Sequence, residues 1–440
     1  MAASFPQRFL ERTQSLCPEC NRVVPATRFE RRGDIYLRVN CPDHGAREAM
    51  YYRDARLYRA VSRHVPVDER CRRLDCARGR ICTHPLRRTL NILVDVTLRC
   101  DLNCPVCFAS AGPGAVRQEP TIAEILARLP PLVGRHRPNV VLIGGEPTMR
   151  PDLPALIRAI LRRGYVPRLA TNGLRMTDPT YVRRLAEAGL RWVVLQFDGL
   201  TSRASAELRG RGLTQEKRQT IANCATHGMA VQLAVMVDER SNADQLGPIL
   251  EFAVDEPAIK WANFYPRTPV GRGRSEDKGD QDPGVHIADL FALFDQQTSG
   301  ALKSDDFERM MCLFKWMYRL TRQEVFRPKL STYPMVLVRR GDRFTPVTRL
   351  LTPWRSDFHV GALLSLLAGL PRVLDYQRMR MPSEVLFITV EKFHSRFPVD
   401  LEEASDCHMA FMTRHGFVPF DIYNMLWRDR AWSTTAMPPG

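Results

Sequence analysis

Cys100, Cys104 and Cys107 fall within eight residues, CDLNCPVC, at spacings of four and three. Three thiolates on one short loop cannot complete a structural zinc tetrahedron, but they can hold a four-iron cubane and leave one iron open. A zinc knuckle or a thioredoxin-like CPVC would leave Cys100 unexplained. The wider cysteine pattern agrees with metal chemistry. Nine of the twelve cysteines (17, 20, 41, 71, 76, 82, 100, 104 and 107) lie in the first quarter, while Cys224, Cys312 and Cys407 stand alone. In a reducing compartment such clusters bind metals or do redox work more often than they form disulfides.

Two further sets precede that loop. Cys17-Pro-Glu-Cys20 and Cys41-Pro-Asp-His44 flank RFERRGDIYLRV, which reads as a hairpin with Gly33 in its turn. A Cys-x2-Cys pair followed by a Cys-x2-His pair is the layout of a zinc-ribbon or rubredoxin-like knuckle holding one Fe or Zn ion. Cys71, Cys76 and Cys82, with His84 as a substitute ligand, suggest an auxiliary iron–sulfur cluster.

Elements that can position these groups alternate from residue 90 onward. Short β-rich runs at 90–97, 139–145, 166–173, 191–199, 229–239 and 259–266 are separated by helical periodicity near 121–129, 152–164, 178–189, 214–228 and 243–254. Strand–helix units in a row predict a parallel α/β sheet, closed or partly closed as a (β/α) barrel, with functional residues at the carboxyl ends of its strands. Those ends carry the cysteine loop, then Gly144, Gly145 and Glu146, then Thr171 and Asn172, then Gln196 and Asp198. Two adjacent glycines let a backbone approach a ligand closely, and Glu146 adds negative charge beside them.

Cys-x3-Cys-x2-Cys after the first strand with GGEPT after the second resembles the radical S-adenosylmethionine (SAM) superfamily. The resemblance implies a [4Fe-4S] cluster on Cys100, Cys104 and Cys107 whose fourth iron is chelated by the amino and carboxylate groups of SAM. It also implies one-electron cleavage to a 5′-deoxyadenosyl radical that takes a hydrogen atom from the substrate. Gly144, Gly145, Glu146, Thr171, Asn172, Gln196 and Asp198 then stand at cofactor-contacting or substrate-contacting positions, and FYPRTPVGR (264–272) at the segment beside the adenine. Val106 precedes the third cysteine where the superfamily often has an aromatic; Phe108 follows it. The amino-terminal knuckle, CPVCFA, GGEPT and LQFDG together narrow the likeness to the branch of tetraether lipid synthases and dihydropterin methylases. In the tail, Asp421 of FDIYN stands where that branch has a cysteine. Carboxylate suits iron–sulfur clusters poorly beside thiolate. The expectation is one cubane in the barrel, one mononuclear site near residues 17–44, and at most one more cluster on Cys71, Cys76 and Cys82.

The chain has 440 residues, 44% hydrophobic and 25% charged, enough for one large domain with appendages. Three parts are expected: a cysteine-rich metal-binding region at 1–88, the barrel core at 89–298, and a carboxyl-terminal α/β cap at 299–440. The first residues lack a secretory signal and no run reaches the length of a spanning helix, so a cytoplasmic enzyme is expected. The apolar run 360–370 and a net charge of +16 leave room for peripheral membrane contact and a lipid substrate beside a small heterocyclic one. A reductant such as ferredoxin or flavodoxin is implied as a partner. The chemistry after hydrogen abstraction stays open among carbon–carbon bond formation, methyl transfer and dehydrogenation. The alternative from another class is a non-catalytic zinc-ribbon protein binding nucleic acid through its basic surface, although scattered arginines form no basic arm.

Overall fold

A computed structural model describes residues 8–66, 89–115, 118–132, 138–273, 284–340, 343–350 and 383–428. Cys71, Cys76, Cys82, His84 and the apolar run 360–370 lie outside the described residues.

The amino-terminal strands β1 (Arg8–Leu16), β2 (Val23–Arg31), β3 (Asp34–Cys41) and β4 (Gly45–Tyr52) form a separate sheet in the order β1-β2-β3-β4. All three pairings are antiparallel. The expected hairpin is β2–β3: Arg31 pairs with Asp34 across a two-residue turn. The helix Ala55–Ser62 follows, capped by Asp54, whose side chain accepts from the Arg56 and Leu57 amides at 2.9 and 3.0 Å.

The second sheet contains β5 (Asn91–Thr97), β6 (Asn139–Gly144), β7 (Val166–Thr171), β8 (Trp192–Gln196), β9 (Ala230–Val237) and β10 (Ile259–Pro266). It continues with β11 (Thr332–Arg340), β12 (Arg343–Pro346), β13 (Val385–Glu391), β14 (Met409–Thr413) and β15 (Gly416–Pro419), in the order β12-β11-β13-β10-β9-β8-β7-β6-β5-β14-β15. Every neighbouring pair from β13 across to β14 is parallel. Parallel strands with both faces covered are apolar throughout, and every residue of Asn91–Thr97 is buried. Helices Ile122–Arg128, Leu153–Arg162, Pro179–Glu187, Thr214–Thr226 and Leu246–Asp255 fill the expected crossovers; Ser202–Arg209 is an additional one.

No pairing among the described residues joins β12 to β15, so the barrel is partial. Residues after 298 extend the sheet on both sides: β11, β12 and β13 beyond β10, and β14 and β15 beyond β5. The amino-terminal sheet is fastened to this body by Arg28, fully buried and 3.2 Å from Asp400, by a 2.8 Å Tyr52–Tyr333 hydroxyl contact, and by Arg53 on Asp289. No helix of the described residues is long and apolar enough to cross a membrane.

Candidate active site

The carboxyl ends of β5, β6, β7 and β8 open into one cavity of about 570 Å³. Cys100, Cys104, Cys107, Gly144, Gly145, Glu146, Thr171, Asn172 and Gln196 all border it. The three cysteines are free and half-buried. Burial pushes the Cys100 thiol up to about 12 and raises Cys104, the latter opposed by the Arg209 guanidinium.

Two glycines set the distance between the cysteine loop and the next strand. The Gly145 amide donates to the Thr97 carbonyl at 2.7 Å, and the Glu146 amide to the Arg99 carbonyl at 2.8 Å. A Cβ on Gly144, whose φ is +127°, would lie 2.2 Å from the Thr97 oxygen, and one on Gly145 would lie 2.3 Å from the Arg99 oxygen. Both contacts are to backbone, which cannot rotate away. Gly145→Ala is therefore expected to destabilise the protein by roughly 1–3 kcal/mol, measured by denaturant unfolding; an unchanged midpoint would remove this account of the glycine pair.

Glu146 ties the strand ends together. Its buried carboxylate accepts from the Thr148 amide and hydroxyl (3.1 and 2.7 Å), the Thr171 hydroxyl (2.7 Å) and the Asn172 amide (2.7 Å). Burial raises its carboxyl above the usual range against those donors. Asn172 in turn donates to Asp101 at 2.6 Å, fixing the strand end to the loop of Cys100. The carboxylate thus serves as a clamp and has little capacity left for a ligand.

Asp198, unlike the other expected positions, does not border the cavity. Arg209 engages both its oxygens at 2.8 and 2.7 Å, and Gln196 donates to it as well. The cavity wall instead carries Arg209. Lys217, also buried, donates to the Asn172 carbonyl and, at 2.7 Å, to Gln196. Burial pulls its ammonium down to about 8, against the charge of Asp198. On the far side of the loop, Arg272 donates from Nε to the Cys104 carbonyl and from its amide to the Cys107 carbonyl, both at 3.0 Å. The expected 264–272 segment does lie against the cysteine loop.

The knuckle closes as a single-ion site. The ligand atoms of Cys17, Cys20, Cys41 and His44 lie within 4.8 Å of one another, with Cys41 Sγ 3.4 Å from His44 Nδ1. The His44 contact draws the Cys41 thiol down to about 7, and Cys41 raises the imidazole. Among the described residues no other ligand set closes this tightly. Cys100, Cys104 and Cys107 therefore suit a group that spreads its thiolates over several metal atoms, one each.

Residues 9–53 match the HMPTM N-terminal zinc ribbon domain and residues 94–253 match the radical SAM superfamily. The chain is 30% identical over 365 residues to the 7,8-dihydro-6-hydroxymethylpterin dimethyltransferase of Methanocaldococcus jannaschii, covering 78% of this chain and 71% of that one. The chain belongs to the radical SAM superfamily, in its dihydropterin methylase-like branch. It is also 29% identical over 183 residues to the Fe-coproporphyrin III synthase of Methanosarcina barkeri, 41% of this chain and 45% of that one. Among solved structures, Streptococcus suis SuiB bound to S-adenosylmethionine aligns at 19% identity over 48% of this chain and 47% of that one, with a TM-score of 0.39.

Members of this superfamily use a [4Fe-4S] cluster and SAM, and the radical SAM enzyme described here adds a carboxyl-terminal wall to the shared cavity. Lys329, Glu391, His394, His408, Asp421 and Asn424 border it, and Phe420 beside Asp421 reaches Phe108 of the cysteine loop, ring centroids 6.1 Å apart. Asp421 does not stand free: it accepts from the His394 amide at 3.2 Å and from Nδ1 at 2.8 Å. Cys312 and Cys407 do not border the cavity. Arg272 closes the 264–272 segment already singled out, whereas sequence reasoning passed over Arg209, Lys217, Glu391 and His394. None sits in a spacing motif; for Glu391 the available signal was its place at the end of FITVE.

Burial alone would lower the His394 imidazole, but Asp421, with Glu403 3.6 Å from Nε2, outweighs it and lifts the group to about 9. A folded-state value above the unfolded one of about 6.5 stabilises fully below that pH and is lost as pH rises toward 9. The stability difference between the native chain and His394→Gln should accordingly shrink between pH 6.5 and 9, followed by thermal unfolding across that window; a pH-independent difference would mean that the pair is not charged.

Proposed function

We propose that this enzyme transfers a methyl group from a second molecule of SAM to a C–H position of a small heterocycle of the dihydropterin kind, the hydrogen atom leaving on 5′-deoxyadenosine and the reductant supplying the electrons. The observation that carries the proposal is the shared cavity, lined by the three cysteines and by polar groups of the carboxyl-terminal segment. Its size lies in the range of small-molecule sites. The relative named for a hydroxymethylpterin supports the substrate class.

In this reading Cys100, Cys104 and Cys107 hold the cluster, and Cys17, Cys20, Cys41 and His44 hold a structural Zn or Fe ion. When bound, the cluster and SAM supply a carbon-centred radical able to take a hydrogen atom from an unactivated C–H bond. The chain's own residues position and exclude. Glu146 and Asn172 lock the strand ends to the cysteine loop, so that the loop keeps one geometry. Arg209, held by Asp198 on the wall beside Cys104, is a fixed cation suited to a carboxylate. Lys217 holds Gln196 and the Asn172 carbonyl in place, and Val270, Tyr265 and Phe108 keep water from the cavity. The division at 1–88, 89–298 and 299–440 describes this enzyme as ribbon, barrel core and substrate-side wall.

The test is anaerobic turnover of the reconstituted enzyme with SAM, dithionite and 7,8-dihydro-6-hydroxymethylpterin. Formation of 5′-deoxyadenosine together with a methylated pterin by mass spectrometry is expected. Abundant 5′-deoxyadenosine with unmodified pterin would refute the substrate class and leave the radical chemistry standing.

A further inference from the structure

Glu391 is the carboxyl-terminal residue of β13, on the same end of the sheet as the cysteine loop. It borders the cavity and is 6% exposed, and it has no hydrogen-bond or ion-pair partner among the described residues. Two other carboxylates of the cavity wall are engaged, Glu146 by four donors and Asp421 by His394. A buried carboxylate with no donor is costly, and the cost persists in a fold only where something else requires the group.

A second unfilled group lies beside it. Asn263 on β10 borders the same cavity, and its side-chain oxygen is buried with no hydrogen-bond partner among the described residues. Asn263 is in register with Thr389 of β13, and Glu391 is two residues further along on the same face. The offset is about 6.6 Å along the strand and one strand spacing of about 4.8 Å across, close enough for one bicyclic heterocycle to meet both. Around Asn263 the wall is largely apolar, while the charged groups nearest Glu391 are Asp421 and Lys329. Trp261 donates to the Thr389 hydroxyl at 2.6 Å, and Met236, Pro334 and Phe387 complete the surface.

We infer that Glu391, assisted by Asn263, is the specificity-determining pole of the substrate pocket and accepts from adjacent N–H donors on the heterocycle, a ring N–H next to an exocyclic amine. The inference rests on the functional reading above and deepens it. Two carboxylate oxygens match two parallel donors, as in carboxylate–guanidinium pairs, and an acceptor pair at this end leaves the remainder of the ring directed at the cysteine loop. Burial and the neighbouring charge of Asp421, opposed by Lys329, raise the Glu391 carboxyl to about 7, so a bound donor pair would draw it to the ionised form.

The experiment uses the full-length reconstituted enzyme and two probes, 7,8-dihydro-6-hydroxymethylpterin and its analogue lacking the exocyclic amine. Affinity is measured by anaerobic titration and by ligand-induced thermal shift, for the native chain, Glu391→Gln and Asn263→Ala. The native chain is expected to prefer the amine-bearing probe, and Glu391→Gln to lose about 10- to 100-fold in affinity for it while binding the analogue as the native chain does. Without ligand, Glu391→Gln should melt no lower than the native chain, because an unpaired buried carboxylate has been removed; a lower melting point would mark Glu391 as structural and overturn the inference. Equal affinity of both chains for the amine-bearing probe would overturn it as well while leaving the substrate class intact. A native chain that cleaves SAM yet binds neither probe would remove the substrate class and the inference together.

Discussion

Replacing Cys100, Cys104 and Cys107 by alanine is expected to abolish one cubane's worth of iron and acid-labile sulfide per chain and to cut 5′-deoxyadenosine formation from SAM by more than about 100-fold, since even outer-shell changes around metal sites cost 10- to 100-fold. The geometry places these thiols at the cavity mouth with no spare ligand nearby. The nearest polar side chains, Asp101, Asn172 and Arg209, are committed to one another or to Asp198. The three side chains contribute only locally: Cys100 and Cys107 pack at the edge of Leu98, Ala109 and Ala111, and Cys100 Sγ accepts from the Leu102 amide at 3.4 Å. They are half-buried, and the loop is held by backbone bonds from Gly112, Gly145, Glu146 and Arg272. The triple variant should consequently fold, with far-ultraviolet circular dichroism close to that of the native chain. Iron and sulfide assays alongside chromatographic detection of 5′-deoxyadenosine decide the matter. A triple variant that still cleaves SAM with dithionite would relocate the cluster.

The parallel core was legible in the sequence because each of its strands is a short apolar run between helical periods and neighbours in sequence are neighbours in space. Expected boundaries such as 139–145 and 166–173 fall within two residues of Asn139–Gly144 and Val166–Thr171. The far wall was less legible for a physical reason. Strand β13 pairs with β10 after more than a hundred intervening residues, and β14 pairs with β5 across most of the chain. Runs such as LFITVE show that a strand exists but carry no mark of the strand beside which it lies. Glu391 becomes visible as a cavity residue only once that pairing is known.

Charged residues on helices were obscure for another reason. Arg209 and Lys217 occur in sequences that read as solvated helical faces, RASAELRG and TQEKRQT. Their burial follows from tertiary partners, Asp198 for the first and the Asn172 carbonyl with Gln196 for the second. GGEPT was singled out by type and spacing as a cofactor-contacting motif, and its glutamate holds neighbouring strand ends together. The motif places the cysteine loop, and the chemistry depends on it through that placement.

The amino-terminal ion should matter well beyond its own four ligands. Cys17→Ala or Cys41→Ala is expected to lose one metal equivalent per chain and to unfold the β1–β4 sheet, since structural zinc sites contribute on the order of 10 kcal/mol to the folding of the small domains they staple. That sheet buries Leu16, Val24, Ile35, Leu37 and Val39, and its edge beside Cys17 and Cys41 closes on the ion site; it is seated on the body through Arg28 on Asp400, Tyr52 on Tyr333, and the Tyr51 hydroxyl on Glu403. Glu403 lies beside His394, and His394 holds Asp421 at the cavity wall. Loss of the ion thus removes the support behind Asp421, whereas the cysteine loop is anchored within the barrel by backbone bonds to Gly145, Glu146 and Arg272. The expected pattern is selective: metal analysis falls by one equivalent, the visible absorption of the barrel cluster and substrate-free SAM cleavage persist, and affinity for 7,8-dihydro-6-hydroxymethylpterin drops. If metal content is unchanged, the four residues do not form the site; if the ion is lost while pterin affinity holds, the Glu403–His394–Asp421 chain does not carry the ribbon's support to the pocket.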